Sequence, residues 1–106
     1  MRILLDEGVP VQVARALAGH DVQTTAGQGW RSVGNGELLR RAEAAGFEVF
    51  VIADKNLRYQ QNLSDRRLAI VELWTNHRPT LDVAADRIRA AVENAAHGDY
   101  VIVASE

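Results

Sequence analysis

The sequence predicts an α/β fold, a three-layer α/β/α sandwich around a mainly parallel sheet of four or five strands. Two observations lead to this prediction. Short apolar runs alternate along the chain with segments of helical periodicity. The runs are almost continuously apolar, which is typical of strands that are buried on both faces, as in a parallel sheet covered by helices. We expect the 106 residues to form a single domain, because no linker or internal repeat divides them.

The N-terminal third is expected to supply two strands and one helix. Residues 2–6 read as the first strand. Pro10 suits a first helical position, and Gly19 ends the helix. The stretch 21–24 is a short strand, and the glycine-rich stretch 26–36 is a loop.

The middle of the chain repeats the alternation. A helix is expected over 36–45, and Gly46 ends it. A strong strand is expected over 48–53. The stretch 56–64 has no clear pattern, and a short helix is one interpretation of it.

The C-terminal third predicts a strand, a helix and a last strand. The strand covers 68–74. Thr80 is expected to cap the helix, Gly98 to end it, and 100–104 to form the last strand. The helix has one apolar stripe, which consists of Leu81, Ala84, Ile88, Ala91 and Ala95.

Composition narrows the class of protein. The net charge of −2 gives no global signature of nucleic-acid binding. There is no cysteine, so disulfide frameworks and thiolate sites are excluded. No apolar stretch approaches the roughly 20 residues of a membrane span. Asp6 and Glu7 interrupt the N-terminal apolar run, which argues against a signal peptide. A cytoplasmic protein without membrane contact is expected.

Two predicted strands end in a carboxylate. Asp6 follows "RILL", and Asp54 follows "VFVIA". In an open parallel sheet, ligands bind beyond the carboxyl ends of the strands, near the point where strand order reverses. If the two strands are neighbours, the carboxylates converge to about 4–7 Å, and a shared Mg²⁺ or Mn²⁺ would relieve their repulsion. Capping a helix or a turn is the alternative role for each Asp.

Three segments carry a resemblance to a known family. In order and spacing, "LLDEGVP", "NGELLRRAEAAGFEVFVIADKNL" and "RYQQNL" resemble the short PIN-like proteins that form the toxin component of bacterial toxin–antitoxin pairs. The resemblance covers residues 1–75. It implies a Rossmann-like, PIN-type α/β/α fold whose strand-end acids bind Mg²⁺ or Mn²⁺ and hydrolyse RNA. It also implies a cognate antitoxin protein as partner, and it leaves a homodimer open.

Residue by residue, the resemblance assigns metal binding and catalysis to Asp6 and Asp54, with Glu37 completing the metal shell or positioning the water. The family's acid at the start of the middle helix falls on Asn35. The acid that follows the second Asp falls on Asn56. Both amides still line the site, but neither carries charge. We therefore expect weak metal binding in the absence of RNA, because Mg²⁺ then lacks substrate phosphates in its shell.

Other polar side chains are candidates for the surroundings of this site. Glu7 lines it if its side chain turns inward. Arg31, Lys55, Arg58 and Gln60 are candidates for contacts to RNA phosphates or bases. A solvated surface is the alternative for each of them.

Two rival functions share the predicted fold. One is a binding module with a weakened site, acting through a partner protein or by dimerising, which the amides favour. The other is a phosphoacceptor receiver domain, since Asp6, Glu7 and Asp54 also match its acids and Thr75 its hydroxyl. The last strand ends in "VASE" without the lysine that a receiver needs opposite the phosphoryl group.

Overall fold

The computed structural model describes residues 1–53, Leu57 and residues 66–104. Over these residues the chain forms one sheet of five strands, all parallel, in the order β2-β1-β3-β4-β5. The strands are β1 (Arg2–Leu5), β2 (Asp21–Thr24), β3 (Val49–Ile52), β4 (Ala69–Leu73) and β5 (Tyr100–Val103). The described helices are α1 (Val13–Ala16), α2 (Asn35–Ala44), α3 (Arg78–Val83) and α4 (Ala85–Asn94). The predicted α/β class with a parallel sheet is confirmed, and the arrangement fits a Rossmann-like three-layer sandwich.

The central strands are buried on both faces, as their continuous apolar runs predict. Val49 and Val51 belong to a cluster that also contains side chains of α1, α3 and α4. Phe50 and Ile52 belong to a second cluster that contains side chains of α2. Successive side chains of a strand point to opposite faces, so one apolar run fills both halves of the core. Each fully buried Val, Ile or Leu contributes about 1.5–3 kcal/mol.

We call these two sides of the sheet the α1 face and the α2 face. The connection from β4 to β5, through α3 and α4, packs Leu81, Ile88 and Val92 on the α1 face. The connection from β1 to β2, through α1, lies on the same face but moves in the opposite direction along the strand order. The two connections therefore have opposite hands. This is a departure from the uniformly right-handed crossovers that parallel sheets favour.

The C-terminal helix differs from its prediction in two ways. Thr80 lies inside α3 rather than at its N-cap, which is His77, and the prediction for Thr80 was wrong. The reason is Pro79, which fits the first turn of a helix and moves the start toward the N-terminus. The Thr80 hydroxyl instead lies 2.8 Å from His77 Nδ1. The helix is also divided at Ala84, although its apolar stripe continues across the break.

Smaller differences occur at the other helix starts. The region after Pro10 begins with turns, since the Pro10 carbonyl accepts from the Val13 N–H at 3.0 Å, and α1 starts only at Val13. At α2 the N-cap is Gly34, and Asn35 is the first helical residue. Of the stretch 56–64, only Leu57 is among the described residues.

Candidate functional site

The carboxyl edge of the sheet is built around the end of β1. Leu5 lies opposite Val51, so β1 and β3 are neighbours. A cation site shared by Asp6 and Asp54 requires this adjacency. The next residue, Asp6, donates its backbone N–H to the Val51 carbonyl at 3.0 Å. The Asp6 carbonyl in turn accepts from the Val9 N–H at 3.0 Å. Both bonds fix the backbone of Asp6, whose half-buried carboxylate stands at the last rung of a central ladder.

The chain leaves β1 and β3 on opposite faces of the sheet. After β1 it turns to the α1 face, where Val9 and Val13 are buried. After β3, Leu57 is 3% exposed and packs on the α2 face. In doubly wound sheets the ligand crevice opens where neighbouring strands send their connections to opposite sides. Asp6 therefore stands at the switch point of this sheet.

The second predicted acid lies outside the described residues. Asp54 follows Ala53, whose side chain packs against the α1-face cluster. The predicted distance between the carboxylates of Asp6 and Asp54 therefore stays a prediction. The other candidates outside the described residues are Lys55, Asn56, Arg58 and Gln60.

The first turn of α2 is directed toward this edge. Arg2, at the opposite end of β1, donates a side-chain hydrogen bond to the Ala45 carbonyl, which places the C-terminus of α2 at the amino edge. The helix runs antiparallel to the strands, so its N-terminal residues Asn35 and Glu37 lie toward the carboxyl edge.

Glu37 is occupied by two arginines of its own helix. Its carboxylate accepts from Arg40 Nη2 at 2.7 Å and from Arg41 Nε at 3.1 Å. The hydrogen bond from Arg40, and then that from Arg41, hold the pKa of Glu37 below its ordinary value of 4.5. Glu37 is exposed and carries its negative charge at neutral pH, with both guanidinium groups beside it.

Two other candidates have separate positions on the surface. Glu7 is exposed and lines an open crevice of about 310 Å³ together with Asn76 and Arg78. Arg31 is exposed in the segment that precedes α2.

One buried carboxylate was missed by the sequence reasoning. Glu72, on β4 opposite Ile52, is 1% exposed and accepts a hydrogen bond from the Tyr100 hydroxyl at 2.6 Å. It interrupts the otherwise apolar run of β4, and that interruption was the available signal. An ionised group is rarely buried without specific partners, so Glu72 and Tyr100 form a polar element inside the α2 side of the core.

A buried hydroxyl lies beside the end of β1. Thr25 is 1% exposed, and its N–H donates to the Leu5 carbonyl at 3.0 Å. Its Oγ1 has no hydrogen-bond partner among the residues that the structure describes. Asp6 and Thr25 thus continue neighbouring strands at the carboxyl edge and supply oxygen donors, the kind that Mg²⁺ and Mn²⁺ prefer.

The oxygen atoms of Asp6 and Thr25 are of the type that hard cations bind. Within residues 1–53, Leu57 and 66–104 no three His, Asp or Glu side chains are grouped to hold a metal ion. Mg²⁺ often binds through one or two carboxylates and keeps several waters, so a group of three acids is not a requirement for such a site.

None of the helices in the described part of the chain is long and apolar enough to cross a membrane. No family model matches the chain, and no curated protein or solved structure is significantly similar to it.

Proposed function

We propose that the protein is a Mg²⁺- or Mn²⁺-dependent ribonuclease of PIN-like type, the toxin component of a toxin–antitoxin pair. One observation carries this proposal: Asp6 is fixed at the carboxyl end of β1, directly beside β3, at the switch point of a parallel sheet. The sequence adds Asp54 two positions after the last residue of β3. The family resemblance supplies the reaction class.

In this proposal each residue has a stated role. Asp6 and Asp54 would hold the divalent cation, and Thr25 would contribute a hydroxyl at the same edge of the sheet. The cation would supply Lewis acidity, which activates water and neutralises charge on the phosphodiester. Glu37 orients the attacking water rather than taking its proton, because its lowered pKa makes it a poor base.

Charge near the start of α2 suits a phosphate substrate. Arg40 and Arg41 are held by Glu37 on the exposed side of this helix. A guanidinium group fixed in this way loses little conformational freedom when it meets a phosphate oxygen. The cluster of Glu37, Arg40 and Arg41 would therefore give the RNA backbone a preformed contact on the exposed side of α2.

The receiver alternative is less well supported. In a doubly wound domain whose crossovers are all right-handed, the connection between β4 and β5 lies on the α2 face. Here it packs on the α1 face.

The test is cleavage of a labelled single-stranded RNA by the purified protein with Mg²⁺ or Mn²⁺. We expect EDTA to stop the reaction. Asp6→Asn and Asp54→Asn should each lower the rate by at least about 100-fold, because each removes a charge that holds the ion.

Arg67→Gln, a charge change at the amino edge, is the control and should leave the rate within about twofold. Cleavage that survives in both Asp variants would refute the proposal. A protein that cleaves no RNA with either metal, yet binds a partner protein tightly, would instead be the binding module.

A further inference from the structure

Two crevices on the α1 side of the carboxyl edge form one continuous groove. The first, of about 310 Å³, is lined by Glu7 and Asn76 and reaches Val11 and Arg78. The second, of about 460 Å³, begins at the same Val11 and Arg78 and continues to Arg15. Because they share two residues, the groove leads from the residue after Asp6 along α1. Its size lies within the range of about 300–1,000 Å³ that is usual for ligand sites.

The arginines of this groove differ from most others in the described chain. Arg15 and Arg78 are both exposed, and the guanidinium group of neither makes an ion pair with a described residue. By contrast, Arg40 and Arg41 are paired with Glu37. Two unpaired guanidinium groups on one concave surface are available for an anion, and their planar forks match phosphate oxygens.

Two acids also line the groove. Glu7 lies at the end near Asp6, where a cation would offset its charge. Asp82 lies beside Arg15, and its Oδ1 accepts a hydrogen bond from Gln12 Nε2 at 2.8 Å. Asn76 and Arg78 add an amide and a positive charge to the lining of the first crevice. Two planar guanidinium groups on different helices fit the regularly spaced phosphates of a nucleic-acid strand, and an acidic peptide is the alternative ligand that the binding test addresses.

We propose that this groove is the path of the single-stranded RNA on one side of the scissile phosphate, with Arg78 and Arg15 holding successive phosphates and Asn76 contacting a base or sugar. The proposal rests on the proposed ribonuclease function, since it takes the RNA strand as the ligand. To the RNA-binding residues chosen from sequence it adds two arginines that the fold brings together from α1 and α3.

The test measures binding separately from cleavage. Fluorescence anisotropy with a labelled single-stranded RNA of about 12 nucleotides, within the size range of single-strand sites, is recorded in EDTA. Arg15→Gln and Arg78→Gln should each weaken binding about threefold to tenfold. Each should also lower the slope of log K against log salt by about 0.7, as expected for one lost phosphate contact.

Arg67→Gln is the matched control, because Arg67 is also exposed but lies before β4 at the amino edge. It should leave both the affinity and the salt slope unchanged. Thermal midpoints within about 1 °C of wild type would show that the variants fold, since neither arginine side chain of the groove has a hydrogen-bond or ion-pair partner to lose in the described part of the chain.

The outcomes separate this proposal from the function on which it rests. If the wild type cleaves RNA but Arg15→Gln and Arg78→Gln bind and cleave like wild type, the RNA path through this groove is refuted. The proposed ribonuclease activity is then still supported. If RNA binds through these arginines but is never cleaved, the groove is supported as an RNA-binding site and the proposed ribonuclease activity is refuted. Equal losses in all three variants, or binding of an acidic peptide but not RNA through Arg15 and Arg78, would refute the groove.

Discussion

The two edges of the sheet use their charged residues differently. At the amino edge, the Arg2 guanidinium lies 4.4 Å from the centroid of the Phe47 ring, and its Nε is 3.3 Å from an Asp21 oxygen. The carboxyl edge has the half-buried Asp6 and the crevice lined by Glu7. The charged groups of Arg2 and Asp21 serve contacts within the amino edge, whereas Asp6 and Glu7 lie at the edge where parallel sheets bind ligands.

Glu43 shows the same contrast on the α2 side. Its carboxylate accepts the backbone N–H groups of Arg67 at 2.8 Å and Leu68 at 3.0 Å, and so it holds the chain just before β4. Glu7 accepts no hydrogen bond from a described residue. In parallel sheets ligands bind at the carboxyl edge, so charges at the amino edge are free to serve stability. The comparison suggests where a substitution should cost folding and where it should cost function.

The largest effect on stability is expected from Gly98→Ala at the amino edge. Gly98 has a φ of +81°, and an added Cβ would lie 2.7 Å from the Arg66 carbonyl oxygen. The left-handed conformation costs a non-glycine residue roughly 1–2 kcal/mol, and the contact with backbone adds to it, so we expect a loss of about 3 kcal/mol. Urea denaturation measures this loss.

Gly29→Ala is the control, because Gly29 has a similar φ of +78° but open space around the added Cβ. It should cost only about 1 kcal/mol, the conformational part. Equal losses at the two glycines would mean that the close approach to Arg66 contributes nothing.

A smaller effect should distinguish two glutamates. Glu43→Ala removes both hydrogen bonds that it accepts and should lower the free energy of unfolding by about 2 kcal/mol. Glu7→Ala should change it by no more than about 0.5 kcal/mol, the usual range for a surface site without partners. Thermal or urea unfolding of the two variants gives the comparison directly. A loss at Glu7 as large as that at Glu43 would remove the distinction between the edges.

The sheet could be predicted from the sequence because the central strands share one signal, a short and almost continuous apolar run. Each central strand is apolar on both faces, and the predicted ends of the strands agree with the observed ones within one residue. The predicted site of Asp6 and Asp54 assumed that β1 and β3 are adjacent, and the strand order confirms this assumption. The side of the sheet taken by α3 and α4 was not predictable, because an amphipathic helix carries no mark of the face that it will cover.

Less of the candidate site than of the fold could be predicted from the sequence. Asp6 could be identified as a candidate site residue from its position alone, because it comes directly after an apolar strand. The pairing of Glu37 with Arg40 and Arg41 follows from helical spacing, but whether such pairs form depends on rotamers. Arg15 and Arg78 lie on different helices, 63 positions apart in the chain (78 − 15). Only the packing of α1 against α3 brings them to one groove.

The most direct test of the central claim is the position at which Mn²⁺ binds. In ¹H–¹⁵N spectra at low Mn²⁺ occupancy, the amide signals of Gly8 and Thr25 at the carboxyl edge should broaden first, while those of Gly46 and Gly98 at the amino edge persist. Asp6→Asn, with its fold intact, should abolish the difference, because it removes the carboxylate at the switch point. Broadening that is strongest at Gly46 and Gly98, or that is unchanged in Asp6→Asn, would contradict the assignment of the carboxyl edge as the metal-binding and substrate-binding edge.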